Sequence, residues 1–173
     1  MNDVIGRPAD SEFASHFASY VRRVAESDVL GVLQAQRDDV RSCALTIPPE
    51  RETFSYAPGK WSLREVFGHM ADAERVFGYR AFCIGRGEQA SLPSFDEEQY
   101  AARSGASSCR LAELVDEFIM LRESNLVFLQ RLDTTAWQQV GTANQHPASV
   151  RAMAFIMAGH VRHHLEIVRT RYA

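Results

Sequence analysis

Apolar side chains recur at helical spacing through five stretches of the chain, and between them the pattern breaks at proline, glycine or serine. Phe13, Phe17, Tyr20, Val21 and Val24 predict a short leading helix over 11–24. Ser27-Asp28 supplies a cap for a longer helix bearing Val29, Leu30, Leu33, Val40 and Leu45, which Pro48-Pro49 must end. The next start is the clearest in the chain. Ser62 and Glu65 form an S-x-x-E capping box, with Trp61 and Val66 placed to close a hydrophobic staple across it. Val66, His69, Ala73, Val76, Phe77 and Ile84 then share a stripe that Gly85 and Gly87 terminate.

Residues 88–108, with Pro93, Gly105 and several serines, predict a long crossover that contains one helical turn at 95–100. A third long helix follows from Leu111 to Leu132, with Glu113, Glu117 and Arg122 mostly on its outer side. Thr134 to Val140 predicts a short accessory helix or turn, and 141–147 an irregular loop. The last helix opens at Ser149, turns Val150, Met153, Met157, His160, His164, Ile167 and Val168 inward, and carries Arg169 and Arg171 where positive charge suits the helix dipole. No strand-like alternation of useful length and no repeat interrupts this pattern. The fold class it predicts is all-α: four principal helices in a bundle, with short accessory helices.

Length and composition narrow the picture. At 173 residues one core is expected, so the chain is read as a single domain over 1–173, with 1–27 as a leading arm and short helix. Hydrophobic residues make up 46% and charged residues 24%, an ordinary globular balance. A net charge of −3 without a basic patch argues against nucleic acid and against an anionic membrane surface. No window approaches the roughly 18 apolar residues of a membrane span, and the first residues lack a signal-peptide core, so a cytoplasmic location is expected. Cys43, Cys83 and Cys109 contain no C-x-x-C pair, which predicts reduced, mostly buried thiols rather than a disulfide framework or thiolate metal site.

The candidate chemistry lies in histidines that replace apolar residues on two buried stripes. His160 and His164 stand four apart, so both imidazoles share one helical face, and His69 occupies the middle of the second bundle helix. Each alone is more simply a hydrogen-bonded core residue. Together they match a divalent metal site built from facing helices, because one cation satisfies three costly buried imidazoles at once. Three protein ligands leave a coordination position for water or substrate, as in catalytic rather than structural sites. Zinc or nickel is the foremost expectation, although copper and iron suit the same donors. His163 falls about 100° from His164 and belongs to the flank, and His16 is expected to face solvent. Asp72, three residues past His69, is the candidate acceptor that orients a ligand imidazole, or the general base on metal-bound water, with a surface ion pair to Arg75 as its simpler role. Glu65 is already explained by the capping box. Tyr56, Tyr79 and His146 are further polar groups within conceivable reach of the open side.

With Gly59-Lys60-Trp61-Ser62, Gly68-His69-Met70-Ala71-Asp72-Ala73-Glu74 and Gly159-His160-Val161-Arg162-His163-His164 in view, the chain resembles the DinB-like (damage-inducible, YfiT-type) superfamily of metal-dependent enzymes from about Asp28 onward. The resemblance implies a bundle running up-down-down-up, commonly a homodimer, with a metal held at positions matching His69, His160 and His164. Relatives often follow the last ligand with Gly-Gln, where Leu165-Glu166 stands here. The superfamily includes hydrolase-like members and S-transferases or isomerases that use low-molecular-weight thiols. The resemblance therefore implies a small-molecule substrate and either water or such a thiol as the activated nucleophile; for the thiol version, arginines near the bundle mouth such as Arg80 are candidates to hold a cofactor carboxylate or sugar. The alternatives are a non-catalytic metal-binding stress-response protein and a metal-free core.

Overall fold

A computed structural model describes residues 5–172, so the first four residues of the expected leading arm and Ala173 lie outside the described residues. In chain order the helices are α1 (Ala18–Arg22), α2 (Val29–Leu45), α3 (Leu63–Gly85), α4 (Glu97–Arg103), α5 (Leu111–Leu129), α6 (Thr134–Gln138) and α7 (Val150–Arg171). A hairpin of β1 (Val140–Ala143) and β2 (His146–Ser149) leads into α7. The helix starts fall where side-chain oxygens can accept from otherwise unpaired amides. Asp28 accepts from Gly31 N, Ser62 from Glu65 N, Asp96 from Gln99 N, Asp133 from Ala136 N and Ser149 from Ala152 N. Glu65 completes its box by accepting from Ser62 N at 2.7 Å.

The four long helices α2, α3, α5 and α7 form the bundle, and their contacts fix its direction of travel. Gln36 on α2 donates to the Ala158 carbonyl at 2.7 Å, and Arg51, just past α2, donates to the Tyr172 carbonyl at 2.8 Å, so α2 and α7 run parallel. On α3, Glu74 meets Arg122 and Gly85 lies against Phe128, so α3 and α5 are also parallel. His69 meets His160 while Gly85 faces Val150, which makes α3 and α7 antiparallel. Arg37 pairs with Glu123 at 3.4 Å and Arg41 with Asp116 at 3.9 Å, which does the same for α2 and α5. The order is up, down, down, up. A parallel step needs a return across the length of the bundle, which the segment containing α4 provides between α3 and α5.

Two apolar clusters fill the core, and they meet at a polar layer. On α7 the change falls between Ala158 and Val161, and on α3 between Ala71 and Ala73. At that level Arg122, fully buried, donates to both carboxylate oxygens of Glu74 at 2.8 Å each, to Gln36 Oε1 at 2.9 Å and to the Leu33 carbonyl at 3.1 Å. Asn125 adds a bond to Glu74 Oε1 at 2.9 Å. With the Gln36–Ala158 bond, the layer joins all four long helices.

Besides Arg122, expected on the outer side of its helix and instead fully buried in this layer, two expectations from the sequence need correction. The leading helix over 11–24 is reduced to α1, preceded by short 3-10 turns at Asp10–Glu12 and Ser15–Phe17. Phe13 is extended between them, which buries its ring while Glu12 reaches Ser149 and Arg151, an arrangement a continuous helix would not permit. Second, 141–147 is not irregular. Asn144 and Gln145 both take positive φ (48° and 63°), the left-handed pair that a two-residue hairpin turn demands, with Ala143 opposite His146 and Val140 opposite Ser149. Leu92 of the crossover docks on this hairpin, donating to the Thr142 carbonyl and accepting from Asn144 N at 2.9 Å each.

Candidate metal centre and its cavity

The capping box sets the start of α3 and thereby brings His69 round to the face that meets α7. His160 and His164 approach from that antiparallel helix. All three are buried, at 2%, 4% and 7% exposure. His160 Nε2 lies 2.9 Å from His69 Nε2 and 3.1 Å from His164 Nε2, and one ligating nitrogen from each ring falls within 4.8 Å of the others. Surrounding rings hold this geometry. Trp61 leans over His69 at 4.7 Å between centroids, while Tyr20 and Phe77 meet His160 edge-on at 5.4 and 5.8 Å. Gly159 admits the arm at this level, since a Cβ there would stand 2.0 Å from the Tyr20 carbonyl oxygen.

Burial sets the protonation of the cluster. It pushes the His69 imidazole down to about 4, helped by the charge of His163. The same cause holds His160 and His164 well below the ordinary histidine value, with the neighbouring histidines, and for His160 also Arg122, adding to it. The rings are therefore neutral at neutral pH, the form that offers a lone pair to a metal. A neutral imidazole has one N–H, so three facing Nε2 atoms cannot all be satisfied by one another, and His69 Nδ1 is buried without a partner. These donors fit a divalent metal ion. Among the described residues no fourth histidine, cysteine or carboxylate joins the group.

A cavity of about 410 Å³ opens on His69 and His160. Its walls come from the arm (His16, Phe17, Tyr20), α3 (Phe77, Arg80), the crossover (Phe95, Asp96, Glu97) and the hairpin (Asn144, His146). Of the polar groups singled out in the sequence, Arg80 and His146 line it. His16 does too, although its side chain is otherwise exposed as expected. Asp72 is not brought to it. Three residues beyond His69, it turns toward Arg75 (3.5 Å) and lines a separate recess of about 290 Å³ with Tyr79 and Tyr100. Tyr56 packs edge-on against Tyr172, and His163 lies on the flank beside Tyr20. Glu166, at the position where relatives often carry glutamine, points away to an ion pair with Arg23. Cys43 is buried and Cys83 and Cys109 are half-buried, all unpaired thiols.

The sequence reading missed Glu97. Its carboxyl is raised above the usual range by desolvation first and then by the charges of Glu98 and Asp96. Asp96 caps α4, and a cap followed by acidic residues in the first turn was a signal for that helix but not for the cavity it faces.

An up-down-down-up bundle with a three-histidine cluster opening on a cavity defines a recognisable class of protein. The model of the DinB superfamily matches residues 33–168, and the chain belongs to that family. No curated protein matches it in sequence. Among solved structures it is similar to YfiT from Bacillus subtilis, described as a probable metal-dependent hydrolase with an unusual four-helix bundle topology. The TM-score is 0.73 at 14% identity, over 94% of this chain and 91% of that one. It is also similar to a mycothiol-dependent maleylpyruvate isomerase, with a TM-score of 0.68 at 11% identity over 84% of this chain and 61% of that one. At such identities the likeness is one of fold.

Proposed function

We propose that the chain is a metal-dependent enzyme: His69, His160 and His164 hold a divalent ion, zinc or nickel, and a small-molecule substrate enters the adjoining cavity. The observation that carries this reading is the convergence of three buried, neutral imidazoles, two of which, His69 and His160, stand at the wall of a cavity of about 410 Å³. When bound, such an ion lowers the pKa of a coordinated water or low-molecular-weight thiol, supplying a nucleophile for hydrolysis or S-transfer at neutral pH.

The chain's own residues do the rest. Trp61, Tyr20 and Phe77 fix the imidazole planes, and Phe17, Phe77 and Phe95 give the cavity apolar walls that limit water. Glu97, with its raised carboxyl at the same cavity, takes the proton-transfer role first assigned to Asp72. A non-catalytic metal-binding protein would be expected to close its fourth position with another side chain, and none of the described residues does so. The homodimer implied by the family resemblance belongs to the same proposal, and light scattering on the purified protein tests it.

Elemental analysis of untagged protein, beside His160→Ala/His164→Ala, tests the reading. The expected result is near-stoichiometric zinc or nickel in the wild type and its loss in the variant. Two empty proteins, even after incubation with both metals, would return the histidines to the core as ordinary polar residues.

A further inference from the structure

Two arginines are buried in this fold, and they are treated differently. The guanidinium of Arg122 is saturated by Glu74, Gln36 and the Leu33 carbonyl. Arg80, 5% exposed, makes a single hydrogen bond, from Nη2 to the Pro93 carbonyl at 2.7 Å, and no carboxylate among the described residues stands within ion-pairing distance. Most of its five N–H donors therefore lack a protein acceptor, and burying such a cation is costly unless something compensates it.

Its position says what could. Arg80 lies eleven residues beyond His69 on α3, three turns and about 20° further round, so both face the same side, with Phe77 between them. Arg80, Phe77, His69 and His160 all line the one cavity, and Arg80 also borders the neighbouring recess, where Asp72 is turned to Arg75 at 3.5 Å. The acidic groups facing it are accounted for. Asp96 is engaged at the start of α4, accepting from Gln99 N at 3.1 Å and Gln99 Nε2 at 2.8 Å. Glu97 takes up a proton more readily than an ordinary carboxylate. His16, held below its usual pKa by partial burial and by the nearby His146 and Arg80, is a neutral ring able to donate one further hydrogen bond.

We propose that Arg80 is the anion-recognition residue of this cavity, taking the carboxylate of a small ligand whose other end lies against His69 and His160. The inference rests on reading the cavity as the substrate site and adds the ligand class: a short carboxylic acid, either the substrate or the thiol that reacts with it. A guanidinium binds a carboxylate through two parallel hydrogen bonds, which fixes orientation as well as affinity.

Calorimetry with zinc-incubated, untagged protein tests this, using succinate, glutarate and adipate with their diamides as neutral controls and metal content measured in every variant. At least one diacid is expected to bind, with its diamide at least tenfold weaker. Arg80→Met should lose that preference at unchanged metal content, and Arg80→Lys should recover part of it. Removing an uncompensated buried cation should also leave the ligand-free Tm no lower than wild type. A merely structural role would give the reverse, a lower Tm with unchanged affinity.

The proposal is overturned if no diacid is preferred over its diamide, or if Arg80→Met binds as the wild type does. It is also overturned if the preference disappears in His160→Ala/His164→Ala instead, because the ion then holds the carboxylate and the metal reading survives alone. An Arg80-dependent preference in protein that holds no metal would keep the anion site and remove the metal reading. 4-Mercaptobutyrate against butyrate then separates the sources, each result resting on Arg80-dependent binding. A tenfold gain from the thiol, lost in the double-histidine variant, assigns the carboxylate to the thiol, and equal affinities assign it to the substrate.

Discussion

Three imidazoles kept neutral by burial make the stability of the metal-free protein depend on pH in a definite direction. A histidine whose pKa falls from 6.5 in the unfolded chain to about 4 in the fold favours the fold above pH 6.5, and that contribution is lost as the pH drops through about 4. For His69 alone the difference is on the order of 3 kcal/mol. Metal-free protein is expected to lose thermal stability steadily between those limits, and a Tm series in matched buffers measures it; a flat profile would mean the rings are not held neutral. The three histidines were legible in the sequence because each occupies a position where helical spacing calls for an apolar side chain. For Asp72 the simpler of its two expected roles holds: three positions from His69 is about 60° of rotation, enough to carry a short side chain out of the cavity and against Arg75.

At the scale of elements, the starts of the long helices could be read because caps are local chemistry, as Ser62 and Glu65 show. The hairpin could not, since Pro147 argues against a strand and neither Asn144 nor Gln145 is the glycine that usually marks such a turn. The arm was misread because its conformation is set by distant partners. Glu12 accepts from Ser149 Oγ and Arg151 Nε at 2.7 Å each, which ties the cavity wall containing His16, Phe17 and Tyr20 to the start of α7. Burial by itself would raise the Glu12 carboxyl, but these bonds, a backbone bond to Ala9 and the Arg151 charge outweigh it and hold it at about 2. The tether is therefore complete above about pH 4.5 and is lost as the pH falls through about 2. Glu12→Gln should cost about 1.5–3 kcal/mol, the range for hydrogen bonds to a charged group. Hydrogen exchange should show faster opening confined to the arm; unchanged protection would mean that packing of Phe13 and Phe17 suffices.

Across the whole molecule, the polar layer of Glu74, Arg122, Gln36 and Asn125 separates two apolar clusters and joins the four long helices. Breaking a buried pair strands a charge, whereas replacing both partners does not. Glu74→Met alone is expected to destabilise by about 3–5 kcal/mol, and Glu74→Met/Arg122→Met by much less, as urea denaturation of both would show. Equal losses would mean that Arg122 finds other acceptors. This layer was invisible in the sequence, where Arg122 looked like an outward residue on an amphipathic helix. No described helix is long and apolar enough to cross a membrane.

The up-down-down-up course also orders events in time. His69 precedes His160 by 91 positions, and the crossover, α5 and the hairpin are all made in between. An ion near a growing polypeptide meets one isolated imidazole until α7 emerges, and a chain cut short before His160 keeps an unremarkable helix histidine. On the proposed metal reading, loading is thereby deferred to a late stage of synthesis, when α2, α3 and α5 already exist.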